Sequence, residues 1–357
     1  MPQIEANGLD IEYESFGDDD AETILLIMGL GAQLTQWPLA LCQALAGYGY
    51  RVIRFDNRDA GLSSRMERDR AFAFSDAFFA LASGRSAFAP YSLSDMAADA
   101  VGLLDALHIG AAHIVGASMG GMIAQHVAAD YPERALSLTS IMSSSGNPML
   151  PPPNSRVLGL FMPQGGTARS QAAVIAQGIR TYEMIGSPGF PTDAATLRAW
   201  VTRDAARGHY PQGVMRQMAA VLSDGDRRPK LRRIDVPCVV LHGRDDPLVP
   251  MAAGEDTAAN IEGAELRVID GMGHDMPLAL VGDIVAAIGA AAERATGVQK
   301  AEVPSVVERV VGKIRDVAVA EPVVAAYAPM EPEPVDVAAP KAKGRFRRWL
   351  AALRQRF

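Results

Sequence analysis

Ser118 stands at the centre of a Gly-x-Ser-x-Gly pentapeptide at 116–120, which is the residue pattern of a nucleophile elbow. A largely apolar run precedes the pentapeptide and a helix-compatible run follows it, so we expect a tight turn between a strand and a helix. Such a turn strains the backbone of the serine, and a glycine two residues away on either side leaves room for it. An ordinary glycine-rich turn has the same pattern, so the assignment of Ser118 as a nucleophile depends on partner residues.

A serine hydroxyl is a weak nucleophile near neutral pH, and it needs a base within hydrogen-bonding reach and an acid that orients the base. Where an elbow of this kind is catalytic, the chain order is nucleophile, acid and histidine. Among the 6 histidines, only His274 follows a strand-end acid that itself follows Ser118. His274 lies in the loop 271–277, directly after a predicted strand, and a glycine-rich loop is a poor place to bury a structural histidine. We therefore predict that His274 is the base.

Two acids are candidates for the residue that orients His274. Asp245 and Asp246 both follow the predicted strand 238–241, and the spacing from there to His274 leaves room for one helix and one strand. The two loops are therefore expected to be neighbours at one edge of the sheet. Either aspartate could instead cap the following helix or remain solvated, and spacing alone does not choose between them.

The elements around these loops alternate between strand and helix. The segment 4–16 alternates apolar and polar residues around Asn7-Gly8, which predicts a hairpin. Further strands are predicted at 23–28, 51–55, 111–115, 135–142, 238–241 and 265–269, and helices at 38–46, 94–107, 122–131, 252–261 and, at the end, up to about 292. A Ser/Asp cap opens the helix at 94–107. This alternation predicts an α/β fold with a doubly wound, mostly parallel sheet.

Residues 143–222 break this alternation. They are rich in Pro, Gly and Met, and they contain helix-compatible stretches at 171–185 and 194–206 but no clear strand. We interpret the segment as a helical cap over the strand ends, which would exclude water and shape a substrate pocket. Its Met and aromatic side chains could line this pocket, but any one of them is expected more often only to pack the cap against the body. The predicted core then comprises residues 1–142 and 223–296.

Three of these motifs together resemble the α/β-hydrolase superfamily, over roughly residues 3–295. They are the elbow, the Gly-x-x-Asp sequence at 243–246 and the Gly-x-Gly-His sequence at 271–274. In that family the acid stands third after the glycine, so the resemblance implies Asp246 as the acid and leaves Asp245 as its neighbour.

The resemblance also implies a reaction class. The stretch 28–31, followed by Trp37-Pro38, and the segment 51–63 are similar to a subgroup that includes aclacinomycin methylesterase-like enzymes. Dehalogenases and epoxide hydrolases of the superfamily carry an aspartate at the elbow, and Ser118 disfavours both. The resemblance therefore implies a serine esterase.

An oxyanion hole is expected beside the elbow. Its donors must point at the carbonyl oxygen as that oxygen becomes negative, and backbone N–H groups do this without reorganisation. The N–H of Met119, directly after the nucleophile, is one expected donor, and the N–H of Leu30 in the glycine turn after the strand 23–28 is the second. The family often has His where this chain has Met28, but the expected donor is a backbone group, so the hole does not depend on that side chain.

Composition limits the remaining possibilities. The chain has 357 residues, of which 49% are hydrophobic and 21% charged, and this is typical of a globular protein. Its 2 cysteines lie far apart in apolar runs and are predicted to be core thiols. No signal peptide is predicted, so a cytoplasmic location is the expectation, and no cofactor or metal is expected.

The C-terminal region differs from the rest of the chain. Residues 297–340 are predicted to be a Pro/Ala/Val/Glu-rich linker. Residues 341–357 contain seven basic side chains and no acid, while the net charge of the whole chain is −7, so the body is acidic and nucleic-acid binding by it is not expected. Residues 341–357 also place five large apolar side chains on one helical face: Phe346, Trp349, Leu350, Leu353 and Phe357. This segment could bind an anionic membrane or a partner protein, or remain a solvated tail.

The combined prediction is a serine hydrolase that cleaves the ester of a small to medium hydrophobic small molecule through an acyl-enzyme on Ser118. Lactone, peptide, C–C bond, perhydrolase and acyl-transfer chemistry use the same residues and remain open. A protein that keeps the fold only to bind a ligand is the alternative outside enzymes.

Overall fold

The computed structural model describes residues 2–66, 89–158 and 170–297. The strands in these ranges are β1 (Gln3–Ala6), β2 (Leu9–Phe16), β3 (Thr23–Ile27), β4 (Arg51–Phe55), β5 (Ala112–Ala117), β6 (Ala135–Ile141), β7 (Cys238–Gly243) and β8 (Glu265–Ile269). They form one 8-stranded sheet with the spatial order β1-β2-β4-β3-β5-β6-β7-β8. Strand β2 pairs antiparallel with β1 and with β4, and all other neighbours pair parallel. The predicted doubly wound, mostly parallel sheet is confirmed.

Helices cover both faces of this sheet. Those in the described ranges are α1 (Leu39–Gly47), α2 (Leu93–Ala106), α3 (Met119–Asp130), α4 (Ser155–Leu158), α5 (Gln171–Ile185), α6 (Ala194–Arg207), α7 (Pro211–Asp224), α8 (Arg228–Leu231), α9 (Ala252–Ala259) and α10 (Val281–Thr296). None of these helices combines the length and the apolar character needed to cross a bilayer.

The predicted hairpin joins β1 to β2. Ala6 pairs with Leu9, so the loop has two residues, Asn7 and Gly8. Both have positive φ, 51° and 75°, as a type I′ turn requires. The Asn-Gly sequence thus fixes the register of β1 against β2.

Strand β3 shows how the sheet is buried on both sides. Ile24 and Leu26 belong to one core cluster, and Leu25 and Ile27 belong to the other. All four side chains have no exposed surface, because successive residues of a strand point to opposite faces and helices cover each face. The carboxyl ends of β3, β5, β7 and β8 therefore meet at one edge of a rigid sheet, where the candidate loops begin.

Helix α2 begins one residue earlier than predicted. Ser92 is its N-cap, and the Ser92 hydroxyl accepts a hydrogen bond from the N–H of Asp95 while the Asp95 carboxylate accepts one from the N–H of Ser92. This capping box fixes the helix start and satisfies two backbone donors. The predicted Ser/Asp cap is therefore present, but Ser92 forms it, so Leu93 and not Ser94 opens the helix.

The predicted cap is helical in the described residues between β6 and β7. Helix α5 has the bounds predicted, and α6 extends one residue beyond 194–206. Helix α7 was not among the predicted helices, although Pro211 at its first turn is a helix-start signal. Helix α7 ends at Asp224 and so continues beyond residue 222, the predicted end of the cap. The domain boundaries remain predictions. The predicted linker and basic segment, from residue 298 onward, lie outside the described residues.

Candidate active site

Ser118 occupies the strained turn that the pentapeptide predicts. Its φ is 56° and its ψ is −120°, between the end of β5 and the start of α3. A Cβ on Gly120 would lie 2.0 Å from the carbonyl oxygen of Ile27, and one on Gly116 would lie 2.1 Å from that of Gly120. No other residue fits at either position without moving backbone, so the two glycines permit the turn. The turn leaves the Ser118 side chain partly exposed at the sheet edge.

The three residues predicted to form a catalytic set lie in one hydrogen-bonded chain. His274 Nε2 is 3.0 Å from Ser118 Oγ, and His274 Nδ1 is 2.6 Å from Asp246 Oδ2. A carboxylate only accepts hydrogen bonds, so His274 Nδ1 carries the proton and Nε2 is free to accept one from the serine hydroxyl. His274 and Asp246 are 7% and 6% exposed, so bulk water does not compete for the hydrogen bond between them.

The structure separates the two candidate acids. Asp246 Oδ1 accepts hydrogen bonds from the N–H groups of Leu248 and Val249, each at 2.8 Å, which leaves Oδ2 for His274. Asp245 is exposed, and its Oδ2 accepts from the N–H of Gly271 at 2.8 Å. Asp245 therefore ties two loops together, whereas Asp246 contacts the histidine.

His242 supports the acid from behind, and sequence reasoning missed it. The imidazole has no exposed surface, and its Nε2–H donates to the carbonyl oxygen of Val249 at 2.8 Å. Burial lowers the pKa of His242, so it is neutral at the pH where serine enzymes work. It thereby fixes the same segment whose N–H groups hold Asp246. The signal in the sequence that could have identified His242 is its position directly before Gly243, which begins the Gly-x-x-Asp sequence.

The two predicted oxyanion donors belong to segments that adjoin Ser118. A Cβ on Gly29 would lie 3.1 Å from the Ser118 Cβ, so the turn that carries Leu30 reaches the nucleophile itself. Met119, the first residue of α3, is buried. No described residue accepts a hydrogen bond from the N–H of Leu30 or of Met119, and both remain available to a bound oxygen.

A family profile described as alpha/beta hydrolase fold matches residues 22–278, which include the elbow, the acid and the histidine. The chain belongs to this family. It is 30% identical over 301 residues to the rhodomycin D methylesterase of Streptomyces peucetius, a match that covers 79% of this chain and 95% of the relative. It is 27% identical to 3-oxoadipate enol-lactonase 2 of Acinetobacter baylyi, over 75% of this chain and 87% of the relative.

A solved structure shows the same fold. The meta-cleavage product hydrolase from Pseudomonas fluorescens superposes on this α/β hydrolase with a TM-score of 0.58, and the alignment covers 77% of this chain and 90% of that one. The sequence identity is 20%, so this similarity supports the architecture alone. The predicted resemblance to α/β hydrolases is thus confirmed by sequence and by structure.

The cap of this α/β hydrolase holds the histidine loop. The N–H of His274 donates to the carbonyl oxygen of Ile185 at 2.6 Å, and the N–H of Gly273 donates to Ser187 Oγ at 2.9 Å. The Ser187 hydroxyl in turn donates to Asp275. Burial raises the pKa of Asp275, and the Ser187 bond partly offsets this. Sequence reasoning missed Ser187 and Asp275, which form no motif.

The cap also meets the core through a buried ion pair. Arg207 at the end of α6 contacts Asp56, the residue after β4, with Nη1 and Oδ2 2.6 Å apart and both side chains wholly buried. Burial raises the pKa of Asp56, while Arg207 and two backbone N–H groups, those of Leu34 and Leu62, act in the opposite direction. Removal of Arg207 would leave the buried Asp56 carboxylate without its cationic partner.

A second Ser/His/Asp group surrounds His126, which lies within α3. His126 Nδ1 is 3.2 Å from Ser94 Oγ, and its Nε2 is 2.8 Å from Asp224 Oδ1. However, Lys230 Nζ lies 3.0 Å and Asp130 Oδ2 3.3 Å from the same Nδ1, so an ammonium group and a carboxylate both compete with Ser94 for this nitrogen. Ser94 lies inside helix α2 and not in a strained turn. The group is an electrostatic link between α3 and the end of α7.

The two cysteines are buried and free, as core thiols are. Burial raises the pKa of Cys42 and of Cys238 to about 12 each, so neither is a thiolate near neutral pH. Within the three described ranges, no group of three His, Cys, Asp or Glu side chains is arranged to hold a metal ion.

Proposed function

We propose that this α/β hydrolase is a serine hydrolase that cleaves a carboxylic ester through an acyl-enzyme on Ser118. The observation that carries the proposal is the hydrogen-bonded chain from Ser118 Oγ through His274 to Asp246. Its geometry matches the requirement for an activated serine: a nucleophile and base in contact, and a base oriented by a third group.

Acylation uses the two nitrogens of His274 in turn. As Ser118 Oγ attacks the acyl carbon of the ester, its proton passes to His274 Nε2, and Asp246 stabilises the resulting imidazolium through Nδ1–H. The carbonyl oxygen becomes negative between the N–H groups of Leu30 and Met119, which are fixed before the substrate arrives. The tetrahedral intermediate collapses, the bond to the alkoxy oxygen breaks, and His274 returns the proton to the departing alcohol.

Deacylation repeats these steps with water. The water molecule gives a proton to His274 Nε2 while its oxygen attacks the acyl carbon, and the same two N–H groups hold the oxyanion. Collapse breaks the bond to Ser118 Oγ, which takes the proton back from His274. The products are a carboxylic acid and an alcohol, and the enzyme is regenerated.

An ester substrate is supported by the relative named as a rhodomycin D methylesterase, whose match spans 95% of its length. We propose a small to medium hydrophobic ester for this chain. The cap lies on the chain segment between β6 and β7 and contacts the histidine loop, so it is placed to limit the acyl and alcohol groups that fit.

The test is hydrolysis of p-nitrophenyl esters from acetate to decanoate by wild type and by Ser118→Ala. We expect activity in wild type alone, and the profile of kcat/KM against chain length gives the size of the acyl site. Labelling of the wild type by a fluorophosphonate, located at Ser118 by peptide mass, tests the nucleophile independently of the substrate. A folded wild type that neither hydrolyses these esters nor takes the label contradicts the proposal.

Lactone hydrolysis is the second candidate, because 3-oxoadipate enol-lactonase 2 aligns over 87% of its own length. A lactone is an internal ester and would form the same acyl-enzyme. A panel of lactones assayed beside the p-nitrophenyl esters separates the two, since a lactonase should give a higher kcat/KM on the ring. If Ser118 takes the fluorophosphonate but neither panel is hydrolysed, C–C bond, peptide, perhydrolase or acyl-transfer chemistry is favoured.

A further inference from the structure

A glutamine of the cap holds the turn that carries one of the proposed oxyanion donors. Gln217 lies on α7, and its side chain has no exposed surface. Its Oε1 accepts a hydrogen bond from the backbone N–H of Gly31 at 2.7 Å, and its Nε2 donates to the carbonyl oxygen of Arg58 at 2.8 Å. Because an N–H only donates and a carbonyl only accepts, these two partners fix the orientation of the amide.

Helix α7 also touches the turn directly. Gly31 has a φ of +64°, and a Cβ at this position would lie 2.8 Å from a methyl carbon of Val214. The glycine is therefore required both by the backbone conformation and by the close approach of the helix. The turn is fixed between the end of β3 and α7.

The N–H of Leu30 lies within a series of anchored peptide groups. The carbonyl oxygen of Met28 accepts from Asn57 Nδ2 at 2.8 Å. The carbonyl of Gly29, which shares a peptide group with the Leu30 N–H, accepts from the N–H of Ala32 at 3.2 Å. These bonds anchor the turn from within the core, and Gln217 anchors the following peptide group from the cap.

We propose that Gln217 is a positioning residue for the oxyanion hole, an inference that rests on the serine hydrolase function proposed above. Gln217 acts through Gly31: it fixes the Leu30–Gly31 peptide group and so the direction of the Leu30 N–H. A donor aimed at charge that develops only in the transition state accelerates the chemical step without tighter binding of the substrate. A glutamine that merely attached the cap would affect stability and not this step.

Gln33 provides a matched control. It is also a buried glutamine, and its Nε2 donates to the carbonyl oxygens of Asp204 and Gly208 in the cap at 2.7 and 2.8 Å. Gln217→Met and Gln33→Met each replace an amide by an apolar group of similar length and break cap-to-core hydrogen bonds. Of these two glutamines, only Gln217 bonds to Gly31.

The two variants are compared in three measurements: kcat and KM on a p-nitrophenyl ester, the second-order rate of fluorophosphonate labelling, and deuterium exchange in the peptide covering 29–33. For Gln217→Met we expect kcat and the labelling rate to fall by about tenfold to a hundredfold, KM to stay within about threefold, and exchange to become faster. For Gln33→Met we expect a comparable fall in melting temperature, with both rates close to wild type.

Equal losses of kcat in the two variants would overturn the proposal, because they would show a general effect of cap attachment. Wild-type rates in Gln217→Met would also overturn it. If wild-type Ser118 takes no label, the proposed serine hydrolase function is contradicted separately. Deuterium exchange in Gln217→Met then still tests whether Gln217 positions the turn, and unchanged exchange in 29–33 overturns that role.

Gln217→Glu replaces the methionine variant if that variant does not fold. Its carboxyl group keeps an acceptor near the Gly31 N–H but loses the amide donor to Arg58. If the position of the turn controls the rate of acylation, deuterium exchange in 29–33 and the labelling rate must change together. A change in one without the other overturns it.

Discussion

Asp246→Asn tests the orientation of the histidine with almost no change in shape. The N–H groups of Leu248 and Val249 both point at one carboxylate oxygen, so they select the rotamer in which the asparagine oxygen faces them. The amide nitrogen must then face His274 Nδ1, which lies 2.6 Å from Asp246 Oδ2 in the wild type. The amide donates to this nitrogen and forces the proton onto Nε2.

The expected loss of kcat follows from this change of tautomer. With a proton on Nε2, His274 presents a donor to Ser118 Oγ and cannot accept the hydroxyl proton. Loss of the correct tautomer in a serine triad lowers kcat by about 10⁴-fold, equivalent to about 5 kcal/mol in the activation barrier. The effect is expected in kcat and not in KM, because Asp246 is buried and acts through His274.

The assay is kcat on a p-nitrophenyl ester, with the melting temperature measured to show that the variant is folded. Asp245→Asn is the matched control: this adjacent aspartate bonds to the N–H of Gly271 and should retain most of the wild-type kcat. Nitrogen-15 shifts of the His274 ring would report the tautomer directly. A loss smaller than about tenfold in Asp246→Asn, or an equal loss in Asp245→Asn, would refute the reasoning.

Buried charges and the C-terminal segment give three other tests. Arg207→Met leaves the wholly buried Asp56 without its cationic partner, so denaturant titration should show that the free energy of unfolding falls by about 3–5 kcal/mol. Adding Asp56→Asn to the same chain should recover part of this free energy. A fall below about 1 kcal/mol contradicts this. Burial alone would raise the pKa of Asp224, but its hydrogen bond with His126 helps to hold the pKa below the usual 3.8. The ionised carboxylate therefore stabilises the folded protein above pH 3.8, and this stabilisation is lost as the pH falls below that value. The melting temperature should therefore fall in Asp224→Asn at pH 7, and the difference from wild type should shrink below pH 3.8; a constant difference contradicts the assignment. Residues 341–357 should make the chain sediment at low salt with anionic vesicles and not with neutral ones, since each basic side chain adds about 1 kcal/mol near such a surface. Sedimentation that survives deletion of the segment contradicts a membrane role for it.

The site loops could be predicted because their causes are local. The strained turn at Ser118 depends on Gly116 and Gly120. A Cβ atom at either position would collide with a backbone carbonyl oxygen, that of Gly120 or of Ile27 respectively. The histidine loop and the acid loop were located by a general property of parallel sheets, whose strands end at one edge. The same logic predicted the Asn7-Gly8 hairpin, where two residues of positive φ set the register.

The choice between Asp245 and Asp246 shows where sequence reasoning needs more than spacing. The two residues are adjacent, and both follow β7, but the backbone directs one side chain to the solvent and the other toward His274. Only the family resemblance selected Asp246 from the sequence. In the structure the physical reason is visible: the two N–H groups of the following turn hold its carboxylate in place.

The cap contacts had no sequence signal because they join residues far apart in the chain. Gln217 meets Gly31 across 186 positions, and Gln33 meets Asp204 across 171. A buried polar side chain in an amphipathic helix looks the same in sequence as an exposed one. Pattern reasoning therefore predicted a lid and missed the side chains that attach it.

These contacts divide the cap into two parts with different tolerance to change. Helix α5 contributes no fully buried side chain and packs on α6, where a Cβ on Gly178 would lie 2.5 Å from Val201. Arg207 at the end of α6 and Gln217 in the middle of α7 are instead buried, and both contact loops of the core. Substitutions on the exposed face of α5 should therefore leave the melting temperature and kcat on a small ester close to the wild-type values. Substitutions at the buried polar positions of α6 and α7 should lower stability or kcat for every substrate, because those positions hold the parts of the site that all substrates share.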